Sequence, residues 1–89
     1  MLFAIICQDK PGALQTRLDT RAAHLAYIDQ TGIVRLAGPF IENGQMTGSL
    51  VVVEADSLAE AEAWAANDPY KAAGLFESVR VSEWKKVIG

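Results

Sequence analysis

His24 is the only histidine in the chain, and imidazole is the one side chain whose ordinary pKa lies close to neutrality, where a general base is poised at cellular pH. Arg17 and Arg21 precede it at spacings of seven and three. At about 100° per residue, Arg17 and His24 lie about 20° apart on any helix that holds both, with Arg21 beside them. Guanidinium groups grip a carboxylate or phenolate through paired N–H donors, so a base flanked by two of them suits a small anionic or phenolic ligand. The plain alternative is a half-exposed helix-edge histidine whose arginines form ordinary surface ion pairs.

Asp68 stands before Pro69, as a residue does when its carboxylate caps the free N–H groups of a new helical turn. A carboxylate in that place can also hold a histidine ring, fixing its tautomer and stabilising the imidazolium. Ideal geometry does not itself bring the two together. His24 lies roughly 18 Å along its helix from the start near Gly12, and Asp68 follows the end of the second helix, so bends and loop reach must close the gap.

Cys7 closes an apolar strand with no basic neighbour in that strand, which reads as a buried hydrophobe ahead of a nucleophile. Tyr27 and Tyr70 could each donate to a substrate oxygen, although packing at a helix edge explains both. Trp64 and Trp84 read as core or interface anchors. No second histidine or Cys-x-x-Cys pair offers a metal site, and no Gly-x-Ser-x-Gly elbow, phosphate loop or dinucleotide fingerprint occurs. The expected chemistry uses neither metal nor cofactor.

The elements that must position these residues follow from period and punctuation. Leu2 to Cys7 is a strand ended by Pro11-Gly12. From Ala13 to about Gln30 the residues Leu14, Leu18, Ala22, Leu25 and Ile28 recur at helical spacing, predicting a helix that buries this stripe and stops near Gly32, with Arg17 and His24 at the stripe's margin. Ile33 to Ala37 is a second strand, ended by Gly38-Pro39. Asn43-Gly44 then predicts an antiparallel hairpin, with a slightly extended loop, into a third strand over Thr47 to Ala55. Ser57 and Glu60 match a capping box, which starts a helix over Leu58 to about Ala66 with Glu60 reaching back to the cap. Asp68 to Gly74 is one further helical turn, and Leu75 to Trp84 the last strand.

This order is the α+β, ferredoxin-like βαββαβ pattern, a four-stranded antiparallel sheet with two helices on one face, in a single domain over residues 1–89. A sheet with one wet face should alternate polar and apolar residues, yet Leu2 to Cys7 and Leu50 to Val53 are apolar at consecutive positions, as doubly buried strands are. With no third helix to cover the second face, the simplest cover is a second copy of the sheet about a two-fold axis. A homodimer through the sheet faces follows, and a higher oligomer is left open.

Eight Lys and Arg against 11 Asp and Glu give a formal charge of -3 and a pI near 4.9. That composition offers no positive field to nucleic acid or anionic lipid. One cysteine excludes an intrachain disulfide, no run approaches the roughly 20 apolar residues of a membrane helix, and the start lacks the basic segment and cleavage site of a signal peptide. A reduced, soluble, cytoplasmic protein is expected.

Arg21-Ala22-Ala23-His24-Leu25-Ala26-Tyr27, Ala37-Gly38-Pro39, Gly48-Ser49-Leu50, Asp68-Pro69-Tyr70 and Glu83-Trp84, in this order over nearly the whole chain, resemble the YCII-related (YciI-like) family. The resemblance implies the dimeric α+β barrel arrangement. It also implies a histidine and an aspartate at the site, which fall here on His24 and Asp68. A similar protein eliminates chloride from a chlorinated hydroxyhydroquinone and muconolactone isomerases share the wider fold, so the implied chemistry is proton transfer on small oxygenated rings. The expectation is therefore a small enzyme performing isomerisation or elimination, with His24 and Asp68 catalytic and Arg17, Arg21 and Tyr70 binding the substrate. Its rivals are a non-catalytic homodimer that binds a small ligand or serves as an accessory module, and a purely structural, partner-binding domain.

Overall fold

The computed structural model describes residues 1–89. The chain runs β1 (Leu2–Asp9), α1 (Leu14–Thr31), β2 (Val34–Glu42), β3 (Gln45–Glu54), α2 (Leu58–Ala66), α3 (Pro69–Ala72) and β4 (Phe76–Trp84). The strands form one sheet in the order β2-β3-β1-β4 with every neighbouring pair antiparallel. This is the ferredoxin-like arrangement, with the helices on one face.

Each turn has a local cause. Gly32 ends α1 in the left-handed conformation (φ 67°), with its N–H donated to the Ile28 carbonyl, a conformation glycine reaches without a Cβ clash. Asn43 and Gly44 both take positive φ (50° and 76°), and Glu42 pairs directly with Gln45. The hairpin is thus tighter than the extended loop expected, because two residues of positive φ match the twist of the flanking strands. Ser57 caps α2 by accepting the Glu60 N–H, while the Glu60 carboxylate accepts the N–H of Asp56, one residue before the cap.

β2 does not end at Gly38-Pro39 as the sequence suggests, but runs through both to Glu42. It is the edge strand, and an edge strand tolerates a proline whose missing N–H is not needed for pairing. Gly48 in β3 sits where an added Cβ would run into the Cys7 carbonyl oxygen of the neighbouring strand. Its lack of a side chain is what lets β1 and β3 pair there.

Phe3, Ile5, Cys7 and Asp9 alternate toward the helices. The first three join Val51, Val53, Ala61, Trp64, Ala65, Tyr70, Leu75 and Phe76 in one core. On the opposite face the register aligns Ala4 with Val52, Ile6 with Leu50, and Leu36 with Val52. Ala4 and Val52 are buried within the single chain, whereas Ile6 and Leu36 are 38% and 50% exposed, so the uncovered part of this apolar face lies at Ile6 and Leu36.

α1 overturns one expectation. Leu18 and Leu25, at the centre of the expected buried stripe, are 47% and 45% exposed, whereas the buried residues of α1 are Arg17 and His24. The helix is rotated so that polar groups face inward, and the reason is that each has a carboxylate waiting. No helix is long and apolar enough to cross a membrane.

Candidate active site

Arg17 projects from α1 toward the end of β1. Its Nε donates to Asp9 Oδ2 at 2.7 Å and its Nη2 to Asp9 Oδ1 at 2.8 Å, a bidentate pair, and Nη2 also donates to Ser49 Oγ on β3 at 2.8 Å. Both ends of the Arg17–Asp9 pair are nearly solvent-free. Burial works to lower the Arg17 pKa, but the hydrogen bond and negative charge of Asp9 outweigh it, and the guanidinium is held above its ordinary value.

Two turns further along the same face, His24 Nδ1 lies 2.9 Å from Asp68 Oδ1. The same oxygen accepts the backbone N–H of Tyr70 at 2.9 Å, as the cap of α3. A carboxylate oxygen that already takes one N–H is an acceptor, so the neutral ring bonds it by carrying its proton on Nδ1. Nε2 is then the basic nitrogen.

Tyr70 fills the space between these two side chains. Its ring stacks on His24 (centroids 4.0 Å apart, planes 19° apart), and the Arg17 guanidinium carbon lies 4.8 Å from its centroid. Positions 17 and 24 are about 10.5 Å apart along a helix, which puts the ring between them. Its edge meets Phe76 in the core. Burial raises the Tyr70 pKa, Arg17 and Arg21 oppose that rise, and Asp68 adds to it.

A cavity of about 200 Å³ opens beside this stack, lined by Arg17, Arg21, His24, Ser49 and Tyr70 on its polar side and by Leu25, Ile28, Ala37, Pro39, Met46 and Val51 on the other. No fully buried side-chain nitrogen or oxygen lacks a hydrogen-bond partner. His24 Nε2 and Arg17 Nη1 have no such partner in the chain, so each reaches accessible space, and both residues line this cavity together with Tyr70. A larger open depression of about 530 Å³ lies near Gln8 to Leu14, and none of His24, Arg21, Asp68 or Tyr70 borders it.

Of the residues expected at a site, Arg17, Arg21, His24 and Tyr70 line one cavity, and Asp68 stands behind His24. The gap between His24 and Asp68 is closed because α3 packs back against α1. Asp9 and Ser49 were missed. A signal for Asp9 is present, since it continues the alternation of Phe3, Ile5 and Cys7 into the covered side, where a charge needs a partner. Cys7 is buried and its thiol is pushed up from 9.0 to about 12, first by burial and then by Asp68, so it is protonated and unfit as a nucleophile. Tyr27 and Trp64 are engaged with each other and with Thr31: Tyr27 Oη donates to the Trp64 carbonyl at 2.8 Å, and Trp64 Nε1 to Thr31 Oγ1 at 2.9 Å.

The fold is that of ferredoxin-like, dimeric α+β barrel proteins. An antibiotic biosynthesis monooxygenase shares it at a TM-score of 0.60 with 15% identity, covering 99% of this chain and 100% of that one. The chain belongs to the YCII-related family, whose domain model matches residues 1–85. Protein YciI of Escherichia coli is 42% identical over 97 aligned positions, covering 98% of this chain and 99% of the relative. An uncharacterized protein of Haemophilus influenzae is 38% identical over the same span. Among solved structures, 5-chloro-2-hydroxyhydroquinone dehydrochlorinase from Burkholderia phenoliruptrix AC1100, in complex with 2,5-dihydroxybenzoquinone, is 41% identical with a TM-score of 0.89, covering 96% of this chain and 94% of that one.

The Arg17–Asp9 pair yields a stability prediction. Asp9→Asn removes the compensating charge from a buried guanidinium and is expected to cost about 3–5 kcal/mol in urea-denaturation midpoint analysis. A loss below about 1 kcal/mol would show that Arg17 is solvated.

Proposed function

We propose that the protein is a small acid–base enzyme in which His24 and Asp68 move a proton on a small anionic or phenolic molecule, in an isomerisation or an elimination. The observation that carries this reading is the buried 2.9 Å contact between His24 Nδ1 and Asp68, with Nε2 left to the cavity. Nε2 takes a proton from a ring hydroxyl or carbon, and Asp68 stabilises the imidazolium that results. In an isomerisation the proton returns to another atom of the substrate, while in an elimination it leaves together with the departing anion. Arg17 and Tyr70 donate to a substrate oxygen in this reading. The 41% identical dehydrochlorinase acts on a single oxygenated ring, the substrate class this cavity suits.

The working unit we propose is a homodimer. Ile6, Leu36 and the half-buried Leu50 form the exposed part of the self-complementary strip, and a permanent interface of this kind buries on the order of 2,000 Å² in total or more. Half of that is roughly a fifth of the 5550 Å² surface of the single chain.

Turnover of 5-chloro-2-hydroxyhydroquinone, followed by chloride release, tests the first claim. His24→Asn should lower kcat about a hundredfold or more with little change in KM. A wild type that binds the compound without releasing chloride places the protein among non-catalytic binding modules, and a His24→Asn variant that keeps the wild-type kcat shows that His24 is not the base. Light scattering at micromolar concentration tests the second, with an expected mass twice the 9.6 kDa of the chain and a monomer for Ile6→Glu. A monomer mass for the wild type contradicts the dimer.

A further inference from the structure

The charged side chains around the cavity differ in whether they are already matched. Three ion pairs exist in the chain: Met1 with Glu54, Arg17 with Asp9, and His24 with Asp68. Arg17 is therefore neutralised by a bidentate carboxylate, and its Nε and Nη2 donors are occupied. Any charge on His24 is matched by Asp68. Arg21 is different, being exposed, on the cavity wall, and outside every ion pair and side-chain hydrogen bond of the chain.

We infer that Arg21 is the specificity-determining residue of this cavity and selects singly charged, single-ring anions over neutral molecules of the same shape, while Arg17, already matched by Asp9, adds a hydrogen bond but not the discriminating charge. This rests on the reading of the cavity as an acid–base site. An anion entering a half-enclosed cavity gives up part of its hydration, and only an uncompensated cation offsets that loss. The field of the Arg17–Asp9 pair is that of a dipole, so Arg17 Nη1 offers a hydrogen bond without a net charge. Its guanidinium instead lies over the Tyr70 ring, whose stacking holds the His24 plane.

Size sets the other half of the selection. A cavity of about 200 Å³ is below the roughly 300 Å³ at which sites for drug-sized ligands begin, so it suits one ring with small substituents. Leu25, Ile28, Ala37, Pro39 and Met46 present apolar surface to the ring face. The anionic substituent is then directed outward to Arg21, whose side chain is free to close on it because it breaks no existing bond in doing so.

Benzoate and nitrobenzene form a matched pair of probes, alike in shape and electron count and different in charge. Each is titrated into the untagged wild type and Arg21→Gln by NMR, following the ring resonances of the single histidine and the amides of Gly38 and Met46. The wild type is expected to bind benzoate about tenfold more tightly than nitrobenzene. Arg21→Gln should lose that preference while binding nitrobenzene within about twofold of wild type, and Arg21→Lys, which keeps the charge, should retain most of it. An undiminished preference for benzoate in Arg21→Gln overturns the assignment to Arg21 and leaves the acid–base reading standing. If neither probe shifts the cavity resonances of the wild type, the inference and the reading beneath it fall together.

Discussion

Two potential cations buried on one face of one helix are the constraint around which the rest of the molecule is arranged. A guanidinium or imidazolium withdrawn from water costs several kcal/mol unless a carboxylate comes with it. α1 therefore turns Arg17 and His24 inward only because Asp9 at the end of β1 and Asp68 at the start of α3 converge on that face. The leucines that would otherwise have claimed the inner side, Leu18 and Leu25, are left half-exposed.

Asp68 joins fold and site in one atom. Its Oδ1 accepts the Tyr70 N–H that starts α3 and lies 2.9 Å from His24 Nδ1. Capping the helical turn thereby fixes the ring. Tyr70, first fixed by that cap, then occupies the interval between Arg17 and His24, so the two ion pairs are mechanically coupled through one aromatic ring. The interior of the site is close to charge-neutral, and the one unmatched guanidinium stands at its wall.

The backbone path was legible in the sequence wherever a residue type has a local steric or hydrogen-bonding role. Asn43-Gly44, Ser57 with Glu60, and Asp68-Pro69 each marked a turn or cap that the structure contains. The contact between His24 and Asp68 was not derivable from spacing, because it depends on how α3 folds back on α1, a tertiary event with no local signature. The inner face of α1 was misjudged for a related reason. Hydrophobic period identifies a buried face only when burial is apolar, and here two polar side chains outrank two leucines because their partners are on other elements. The length of β2 was missed since Gly-Pro reads as a stop, and only its edge position makes the proline harmless.

Acid–base chemistry at His24 requires that Asp68 hold the ring with its proton on Nδ1 and its lone pair on Nε2. Nitrogen-15 chemical shifts of the two ring nitrogens test this directly, and with one histidine in the chain their assignment needs no mutant. For the neutral ring the expected result is a protonated Nδ1 and a bare, pyridine-like Nε2. A ring protonated on Nε2, with a bare Nδ1 turned toward the Asp68 carboxylate, would contradict it.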